Sequence, residues 1–355
     1  MVKTKCGHNT GTMKHQYIDR KTRQVRTERL KADPVINAVY SPIRENSSLL
    51  FQLMISARMS SLIGAVSYDW PFFKPPADTG RFLAAQGIDL SEVAGDPARL
   101  DTLRKVFERK IRYEQLRPMP EDADAVVSPA DSRLLVGSFS ERSAIFIKGK
   151  FFDFSEFIGR DKPHWLDAFD QGSFAVTRLT PDKYHYNHTP VAGTVLDIYE
   201  IDGHFHSCNP GAVVREVTPY SKNRRVVTII DTDVPGGTGC GLVCMVEVVA
   251  MMIGKIVQCY SRAGYENPQP VMPGLFMKKG YPKSLYRPGS STTIVIFQKQ
   301  RIRFSTDLLE NQMRTDVSSR FSEGFGRPLV ETEVAVRSGI GHACACDDTL
   351  CLGDL

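Results

Sequence analysis

Three short stretches of the sequence combine side chains that take part in proton transfer or nucleophilic attack. Asp131 stands in VVSPADSRL, His185 and His188 lie three residues apart in LTPDKYHYNHTPVAGTV, and Ser290 and Ser291 are adjacent in YRPGSSTTIVIF. A carboxylate can orient an imidazole, which can then accept the proton of a hydroxyl group. One interpretation of the three stretches is therefore an acid, a base and a nucleophile that act together.

Each stretch also has a simpler interpretation. Asp131 follows Ser-Pro-Ala and is typical of a turn aspartate. The two histidines suit a polar surface loop or one half of a zinc site, but no carboxylate or cysteine at ligand spacing supports zinc. Pro288 and Gly289 predict a tight turn into the strand-like run TTIVIF. The G-x-S-x-G motif of α/β-hydrolases is missing, which argues against a conventional serine hydrolase.

The elements that must position these residues change in character along the chain. Over residues 81–111, apolar residues recur at spacings of three and four, and Gly95 and Pro97 interrupt them, which predicts two or three short helices. Short β-branched and aromatic runs then predict a mainly antiparallel β domain over residues 121–335. We expect Gly241–Val257 to form a strand, a bend and a second strand. The predicted fold class is α+β, with an N-terminal helical segment before the sheet.

Positive charge is concentrated at the N-terminus. Residues 1–30 contain eight Lys and Arg against two acidic residues, whereas the whole chain has a formal net charge of +5. This arm is either solvated and partly disordered or attracted to an anionic surface. Leu49–Val66 is too polar for a transmembrane helix and predicts a core helix or an interfacial one. We therefore predict a basic, membrane-associating segment over residues 1–75 and a helical region over residues 76–120.

The eight cysteines do not form a disulfide pattern. They are scattered through a long chain in which we read no secretory leader, so mostly reduced thiols in a reducing compartment are expected. Near the C-terminus, Cys344, Cys346 and Cys351 lie close to His342, but a C-x-C without a second matched pair is a weak metal signal. We predict a flexible tail over residues 336–355 and no metal.

Seven blocks of the sequence resemble the phosphatidylserine decarboxylase family and follow one another in the family's order. They extend from about Tyr17 to Gly341 and read YIDRKT, FERKIRYEQLRPMPEDADAVVSPADS, IKGKFFDFSEFIG, LTPDKYHYNHTPVAG, CNPGAVVREVTPYSKNRRVV, VEVVAMMIGKI and KKGYPKSLYRPGSSTTIVIF. One block would be a weak indication, but seven in register are specific. The arrangement is most similar to bacterial, clostridial-type members with a long N-terminal segment.

The resemblance implies a proenzyme that cleaves its own backbone. In the family, a serine hydroxyl attacks the preceding carbonyl, β-elimination releases the upstream chain, and the serine becomes a pyruvoyl group. Counting from KKG and back from Phe297 places this serine at Ser291, so the cleaved bond is Ser290–Ser291, between a large β chain and a small α chain. The motif alone suggests Gly289–Ser290 instead. Ser290 and Ser132 stand where the family commonly has glycine, which is a departure from the pattern.

The resemblance also implies a role for each reactive residue. Asp131 orients His188, His188 activates Ser291, and His185 transfers a proton during decarboxylation, a task that suits an imidazole with a pKa near neutrality. The pyruvoyl cofactor made from Ser291 forms a Schiff base with the substrate amine and accepts the electrons left by the departing CO2.

The implied reaction converts phosphatidylserine to phosphatidylethanolamine. The expected partners are phosphatidylserine, an anionic membrane surface, the protein's own cleaved chains and a second copy in a homodimer, with no nucleic acid. The expected location is peripheral, on the cytoplasmic side of the cell membrane. Two alternatives stay open: a pyruvoyl-dependent decarboxylase of a soluble amino acid, and an unprocessed, non-catalytic homologue, which Ser290 in the glycine position motivates.

Overall fold

The computed structural model describes residues 14–28, 84, 87–140, 152–215, 219–250, 255–287 and 291–344. The strands in these residues are β1 Gln16–Asp19, β2 Val25–Thr27, β3 Ala125–Val127, β4 Ser132–Ser138, β5 Ser173–Leu179, β6 Tyr186–His188, β7 Gly193–Ile201, β8 Arg225–Asp231, β9 Leu242–Val249, β10 Ile256–Gln258, β11 Phe276–Met277, β12 Pro282–Tyr286, β13 Ser291–Phe297, β14 Ile302–Phe304, β15 Thr332–Val334 and β16 Gly339–Ala343. The α-helices are α1 Leu103–Phe107, α2 Tyr113–Leu116, α3 Phe154–Ile158, α4 Pro163–Ala168, α5 Pro210–Arg215, α6 Pro219–Lys222, α7 Thr306–Gln312 and α8 Arg320–Phe325.

Most of the strands form one ten-stranded sheet in the order β11-β7-β8-β9-β13-β5-β4-β15-β1-β2. Two three-stranded sheets, β10-β12-β6 and β14-β16-β3, accompany it. Every pair of described strands is antiparallel except β1 with β15. The predicted α+β class with a mainly antiparallel sheet is therefore confirmed.

Strand β13 lies in the middle of the large sheet and is buried along its whole length. Successive side chains of a strand point to opposite faces. Accordingly, Ile294 and Ile296 belong to one hydrophobic core, and Val295 and Phe297 belong to a second core on the other face. A strand buried on both faces needs a nearly continuous apolar run, which explains the sequence TTIVIF.

The predicted Gly241–Val257 segment contains strands β9 and β10, as expected from its Val and Ile content. The residues between them, 251–254, lie outside the described part of the chain. The run RVVTIID coincides with β8, whereas the run AIFIKG falls on residues 141–150, which are also outside the described residues.

Two boundaries differ from the sequence analysis. Strands β1 and β2 form a hairpin at the edge of the large sheet, so residues 16–27 of the basic arm are part of the β domain. The Arg20 side chain holds this hairpin by donating hydrogen bonds to Asp307 and to the Gly339 carbonyl. At the other end, β16 pairs with β3 and β14, so the β domain continues past residue 335. Both segments were misjudged because their partners are distant in sequence.

Residues 88–117 form a layer of short turns and helices, as the interrupted helical pattern predicted. Two 3₁₀ turns, Leu90–Glu92 and Pro97–Arg99, are each capped by an aspartate side chain, and Thr102 caps α1. An isolated antiparallel bridge joins Val93 to Ile111 and closes the layer. This layer packs over the histidines described below.

Four of the described cysteines, Cys208, Cys240, Cys244 and Cys259, are free thiols, as expected. Cys344 is disulfide-bonded, which is an exception to the expected reduced state. Within the described residues, no helix combines the length and the apolar character needed to cross a bilayer. The segment Leu49–Val66 lies outside them.

Candidate active site

The sheet register brings the predicted acid and the predicted nucleophile to the same end of neighbouring strands in the large sheet. Ser291, the first residue of β13, pairs with Leu179 at the end of β5. On the other side of β5 lies β4, which begins directly after Asp131. Because neighbouring strands are about 4.8 Å apart, two strand spacings, or about 10 Å, separate the main chains at these two positions.

Ser291 is buried, with 1% of its surface exposed, and its Oγ has no hydrogen-bond partner in the described part of the chain. A buried hydroxyl without a partner is costly, so such groups are uncommon and often functional. The residues before it, 288–290, lie outside the described residues. The predicted cleavage turn and both candidate bonds, Ser290–Ser291 and Gly289–Ser290, are therefore not described by the structure.

His188, the last residue of β6, uses both ring nitrogens. Its Nδ1 lies 2.8 Å from the Gly280 carbonyl, so Nδ1 carries the proton and donates it. Its Nε2 lies 3.0 Å from the Tyr184 hydroxyl and accepts from it. Burial lowers the pKa of His188 to about 3, although the Gly280 hydrogen bond opposes the shift. The ring is therefore neutral and hydrogen-bonded at both nitrogens.

A chain of hydroxyl groups leads from His188 towards the surface layer. The Tyr184 and Tyr265 hydroxyls are 2.7 Å apart, and the Tyr265 oxygen accepts a hydrogen bond from the Ile111 N–H at 3.1 Å. The Tyr265 hydroxyl has one proton and two acceptors within reach, the Tyr184 oxygen at 2.7 Å and the Ile111 carbonyl at 3.0 Å. The sequence analysis quoted Tyr184 within the histidine stretch but assigned it no role.

His185 differs from His188 at one nitrogen. Its Nδ1 donates to the Lys183 carbonyl at 2.7 Å, whereas its buried Nε2 has no partner among the described residues. Burial, followed by the positive charge of Arg109, lowers the pKa of His185 to about 3. The expected pKa near neutrality is therefore wrong for this state, because the ring is removed from water, and His185 is a neutral hydrogen-bond acceptor.

Asp131 makes its hydrogen bonds to residues other than His188. Within the described residues, its carboxylate accepts hydrogen bonds from Arg117 Nε at 3.0 Å and Nη2 at 2.9 Å, and from the Val336 N–H at 2.8 Å. Burial alone would raise the pKa of Asp131, but the Arg117 hydrogen bonds and charge hold it below its ordinary value. A planar guanidinium matches a carboxylate with two parallel bonds, which makes it the stronger competitor for Asp131.

Arg117 is a site residue that the sequence analysis missed. It also makes two 2.9 Å hydrogen bonds to Glu92, so it joins the covering layer to the sheet edge. Its position in LRPMPEDADAVVSPADS, within one of the blocks that resemble the family, was the available signal.

The covering layer closes the site from above. The Phe107 ring lies on the His185 ring with 3.6 Å between centroids, and the Tyr113 ring meets His188 edge-on at 4.6 Å. Both histidines are consequently 0% exposed. Exclusion of water explains why both imidazoles are neutral.

A buried polar network fixes the histidine strand against the serine strand. The Asn187 side chain accepts from Thr293 Oγ1 at 2.8 Å and donates to Glu247 at 3.3 Å, and Glu247 pairs with Lys283 at 2.8 Å. The Tyr286 hydroxyl lies 2.9 Å from Thr293 Oγ1. Asn187 precedes His188 and Thr293 follows Ser291 by two residues, so the network sets the distance between the two strands.

One group among the described residues has metal-ligand spacing: His15, Glu28 and Glu331. Arg178 donates hydrogen bonds to both carboxylates, at distances between 2.6 and 3.0 Å. The guanidinium already neutralises the oxygens that a cation would need, so this is a buried ion-pair cluster. The two predicted site histidines each use Nδ1 on a backbone carbonyl and share no carboxylate or thiol ligand.

Comparisons with known proteins give the family of this chain. The family profile described as phosphatidylserine decarboxylase matches residues 103–323, which contain Asp131, both histidines and Ser291. A phosphatidylserine decarboxylase proenzyme of Chlamydia trachomatis is 31% identical, over 82% of this chain and 90% of that protein. Proenzymes of the same name from Fusobacterium nucleatum and Clostridium botulinum are each 27% identical, over 88% and 83% of this chain and 97% and 92% of their own lengths.

These matches cover most of this chain and nearly all of each relative, so the similarity extends well beyond a shared motif. They confirm the predicted enzyme class, a decarboxylase that acts on phosphatidylserine. The chain belongs to the phosphatidylserine decarboxylase family.

Proposed function

We propose that this chain is made as a precursor, cleaves itself between Ser290 and Ser291, and then converts phosphatidylserine to phosphatidylethanolamine and CO2. Cleavage would give a β chain of residues 1–290 and an α chain of residues 291–355. The observation that carries the proposal is Ser291: a buried hydroxyl without a partner among the described residues, at the first position of a central strand and within the family match.

In the proposed maturation, Ser291 Oγ bonds to the Ser290 carbonyl carbon, the amide C–N bond breaks, and the hydroxyl proton passes to the freed amine. Loss of the Ser291 α-proton then breaks the bond between Cβ and Oγ of residue 291. This leaves a carboxylate on Ser290 and a dehydroalanine at position 291. Hydrolysis of the dehydroalanine releases ammonia and leaves the pyruvoyl group. The first step needs a base near the Ser291 hydroxyl.

We assign this base to His188, with Asp131 as its orienting carboxylate. For this assignment to act, His188 Nε2 must exchange the Tyr184 hydroxyl for Ser291, and Asp131 must turn from Arg117 and replace the Gly280 carbonyl at Nδ1. His185 is the competitor for the role, because its Nε2 is buried and unused among the described residues. The variants in the Discussion separate the two histidines.

Position 291 fits the pyruvoyl group, since a small side chain that bonds to no described residue stands at the start of a buried strand. When formed, this group supplies an electrophilic carbonyl that takes up the substrate amine and accepts electrons. We propose that His185 holds and returns the proton at the reacting carbon. Its burial keeps water away, which favours loss of a carboxylate.

We further propose a peripheral position on an anionic membrane surface and a homodimer. The turn between β1 and β2 carries Lys21 and Arg23, both exposed and without an ion-pair partner among the described residues. Each free cation near an anionic bilayer adds about 1 kcal/mol of attraction. Partition with phosphatidylserine vesicles supports the lipid substrate, whereas an active enzyme that ignores vesicles supports the soluble amino acid.

The test is the intact mass of the purified protein under denaturing conditions, together with CO2 release from phosphatidylserine vesicles. We expect two chains, with the α chain starting at position 291 and blocked by the pyruvoyl group. An α chain longer by one serine would move cleavage to Gly289–Ser290. A single uncut chain without decarboxylase activity would favour the unprocessed homologue and contradict the proposal.

A further inference from the structure

A cavity of about 1040 Å³ adjoins the sheet edge at which Ser291 lies. Its wall includes Leu179, the strand partner of Ser291, and Cys208, whose sulfur accepts a hydrogen bond from Thr292 Oγ1 at 3.1 Å. It also includes Asp131. The cavity therefore reaches the immediate neighbours of position 291 on two sides.

The cavity wall is rich in charged residues, with seven Lys and Arg against five Asp and Glu. Two of these cations are paired with carboxylates. Arg178 donates hydrogen bonds to Glu28 and Glu331, and Arg117 donates to Glu92 and Asp131. A wall with charges of both signs suits a headgroup that carries two anionic groups and one ammonium.

Arg133 is bound differently from the other buried arginines. It is 5% exposed, and its guanidinium carbon lies 3.3 Å from the centre of the Tyr17 ring. Neither Nε nor Nη1 makes a hydrogen bond to any described residue. The aromatic ring covers one face of the guanidinium, so the donors at its edge are the part left for a ligand.

The carboxylate nearest to Arg133 forms an ion pair with it but accepts no hydrogen bond from Nε or Nη1. Glu333 Oε1 lies 2.9 Å from Arg133 Nη1, but the pair is outside hydrogen-bonding geometry, and the same oxygen receives the ammonium of Lys183. Glu28 is farther, at 3.9 Å from Nε. A buried guanidinium with unfilled donors is costly, and a phosphodiester with two acceptor oxygens would fill them.

Arg133 is also at a suitable distance from the reacting position. It pairs with Arg178 across β4 and β5, and Arg178 pairs with Thr292 across β5 and β13, which puts the Arg133 and Thr292 main chains about 10 Å apart. An arginine side chain together with the short linker between phosphodiester and amine in a serine headgroup spans this distance. The carbon that would react is the Cα of residue 291. Because Cα is part of the strand backbone, a ligand can approach it from the face of the sheet on which Arg133 lies.

We propose that this cavity binds the anionic phosphodiester of the phosphatidylserine headgroup, with Arg133 as its main ligand. The inference rests on the proposed function for the identity of the substrate. Soluble phosphodiesters share this chemistry, so the experiment must separate the headgroup from the bilayer that carries it.

The binding experiment uses the full-length, uncleaved Ser291→Ala protein and the soluble probe glycerophosphoserine, followed by calorimetric titration. We expect Arg133→Gln to weaken binding about ten- to hundredfold, the range for a charge-assisted hydrogen bond. The matched control is Arg303→Gln, because Arg303 is exposed on β14 and is not part of the cavity wall; its binding should stay within about twofold. Free serine and inorganic phosphate separate the carboxylate–amine part from the phosphate part.

The activity experiment uses the otherwise unmodified chain and phosphatidylserine in mixed micelles. Arg133→Gln should still give two chains by intact mass and should raise KM about tenfold or more with a smaller change in kcat. An unchanged KM in a cleaved, active Arg133→Gln enzyme overturns the cavity assignment and leaves the proposed function standing. If the chain has no decarboxylase activity but binds glycerophosphoserine in a way that depends on Arg133, the cavity assignment is supported and the proposed function is contradicted.

A third variant covers the case in which Arg133→Gln does not fold. Arg133→Lys keeps a buried cation above Tyr17 but loses the planar fork, and we expect its binding of glycerophosphoserine to be weaker than in the parent protein by about threefold or more. Binding as tight as in the parent protein would overturn the proposal. Vesicles of phosphatidylcholine with and without phosphatidylserine then show whether the variant loses headgroup recognition or membrane attachment.

Discussion

His185 and His188 are three residues apart, equally buried and both neutral, yet among the described residues only His185 has a ring nitrogen without a partner. In each ring, Nδ1 donates to a backbone carbonyl, which leaves Nε2 as the acceptor. Tyr184 occupies Nε2 of His188, and no described residue occupies Nε2 of His185. The comparison teaches that burial sets the charge of an imidazole, whereas the second hydrogen bond decides whether the ring can accept a proton at once.

The largest effect is expected from removing the Ser291 hydroxyl. Ser291→Ala should abolish self-cleavage, because alanine has no oxygen to attack the preceding carbonyl, and intact mass should show one chain. The matched control is Ser290→Ala, which should still be cleaved. An uncut Ser290→Ala protein with a cleaved Ser291→Ala protein would move the reacting serine by one residue.

The two histidine variants test the comparison directly. His188→Ala should slow self-cleavage by about a hundredfold or more, the usual contribution of a general base. His185→Ala should still be cleaved but should lose decarboxylase turnover. Time courses of chain separation and of CO2 release give the two rates. If His185→Ala is the variant that stays uncut, its free Nε2 is the base and the two roles are reversed.

Arg117 decides whether Asp131 is available to His188. Arg117→Gln leaves a buried carboxylate without its cation, and breaking such a pair costs about 3–5 kcal/mol of unfolding free energy. Denaturant melts of the Ser291→Ala background measure this cost without interference from cleavage. Arg112→Gln is the control, because the side chain of Arg112 donates only to a carbonyl at the exposed surface. If the double variant Arg117→Gln/Asp131→Asn regains unfolding free energy, the loss comes from the unpaired Asp131 carboxylate. If it regains none, that explanation is contradicted.

Acid should destabilise the protein through both histidines. Their pKa is about 3 in the folded chain and about 6.5 when unfolded, so the unfolded state binds more protons between these values. Stability is therefore full above about pH 6.5 and falls as the pH drops towards 3, by up to about 1.4 kcal/mol per pH unit for each ring. The low pKa of Asp131 acts in the same direction. A His185→Gln/His188→Gln variant should show a shallower loss of melting temperature between pH 6.5 and 4, and an equal loss would contradict the buried, neutral assignment.

The smallest effect concerns the hydrogen bond that distinguishes the two rings. Tyr184→Phe removes the donor to His188 Nε2 and should cost about 1 kcal/mol of stability, while making self-cleavage faster because the base is released. Tyr199→Phe is the control, since its hydroxyl donates to the Ile158 carbonyl away from the histidines. Slower cleavage in Tyr184→Phe would mean that the tyrosine positions His188 instead of blocking it.

Local patterns predicted the central strands well. The run RVVTIID coincides with β8, and TTIVIF with β13, because a strand buried on both faces has little freedom in its composition. The β1–β2 hairpin was missed, since its residues are mostly charged and polar. Only a parallel pairing with β15, more than 300 residues away in sequence, makes it part of the sheet.

The sequence named Asp131, His185, His188 and Ser291 as candidate site residues, and their roles stay predictions. The register of β4, β5 and β13 brings Asp131 and Ser291 to the same end of these strands. The expected bond from Asp131 to His188 is replaced by Arg117, and the expected pKa of His185 is replaced by a low one. Neither change has a local signal, because each arises from the covering layer of residues 88–117.

The sequence by itself determined the family, the order of the reactive residues and the strands that carry them, because these depend on composition, spacing and register along the chain. The tertiary structure decided which hydrogen bonds the reactive side chains make. The Gly280 carbonyl on His188 and the Val336 N–H on Asp131 come from residues 92 and 205 positions away. Burial, charge pairing and the state of each proton depend on such distant neighbours, and these neighbours meet only when the sheet and its covering layer are assembled.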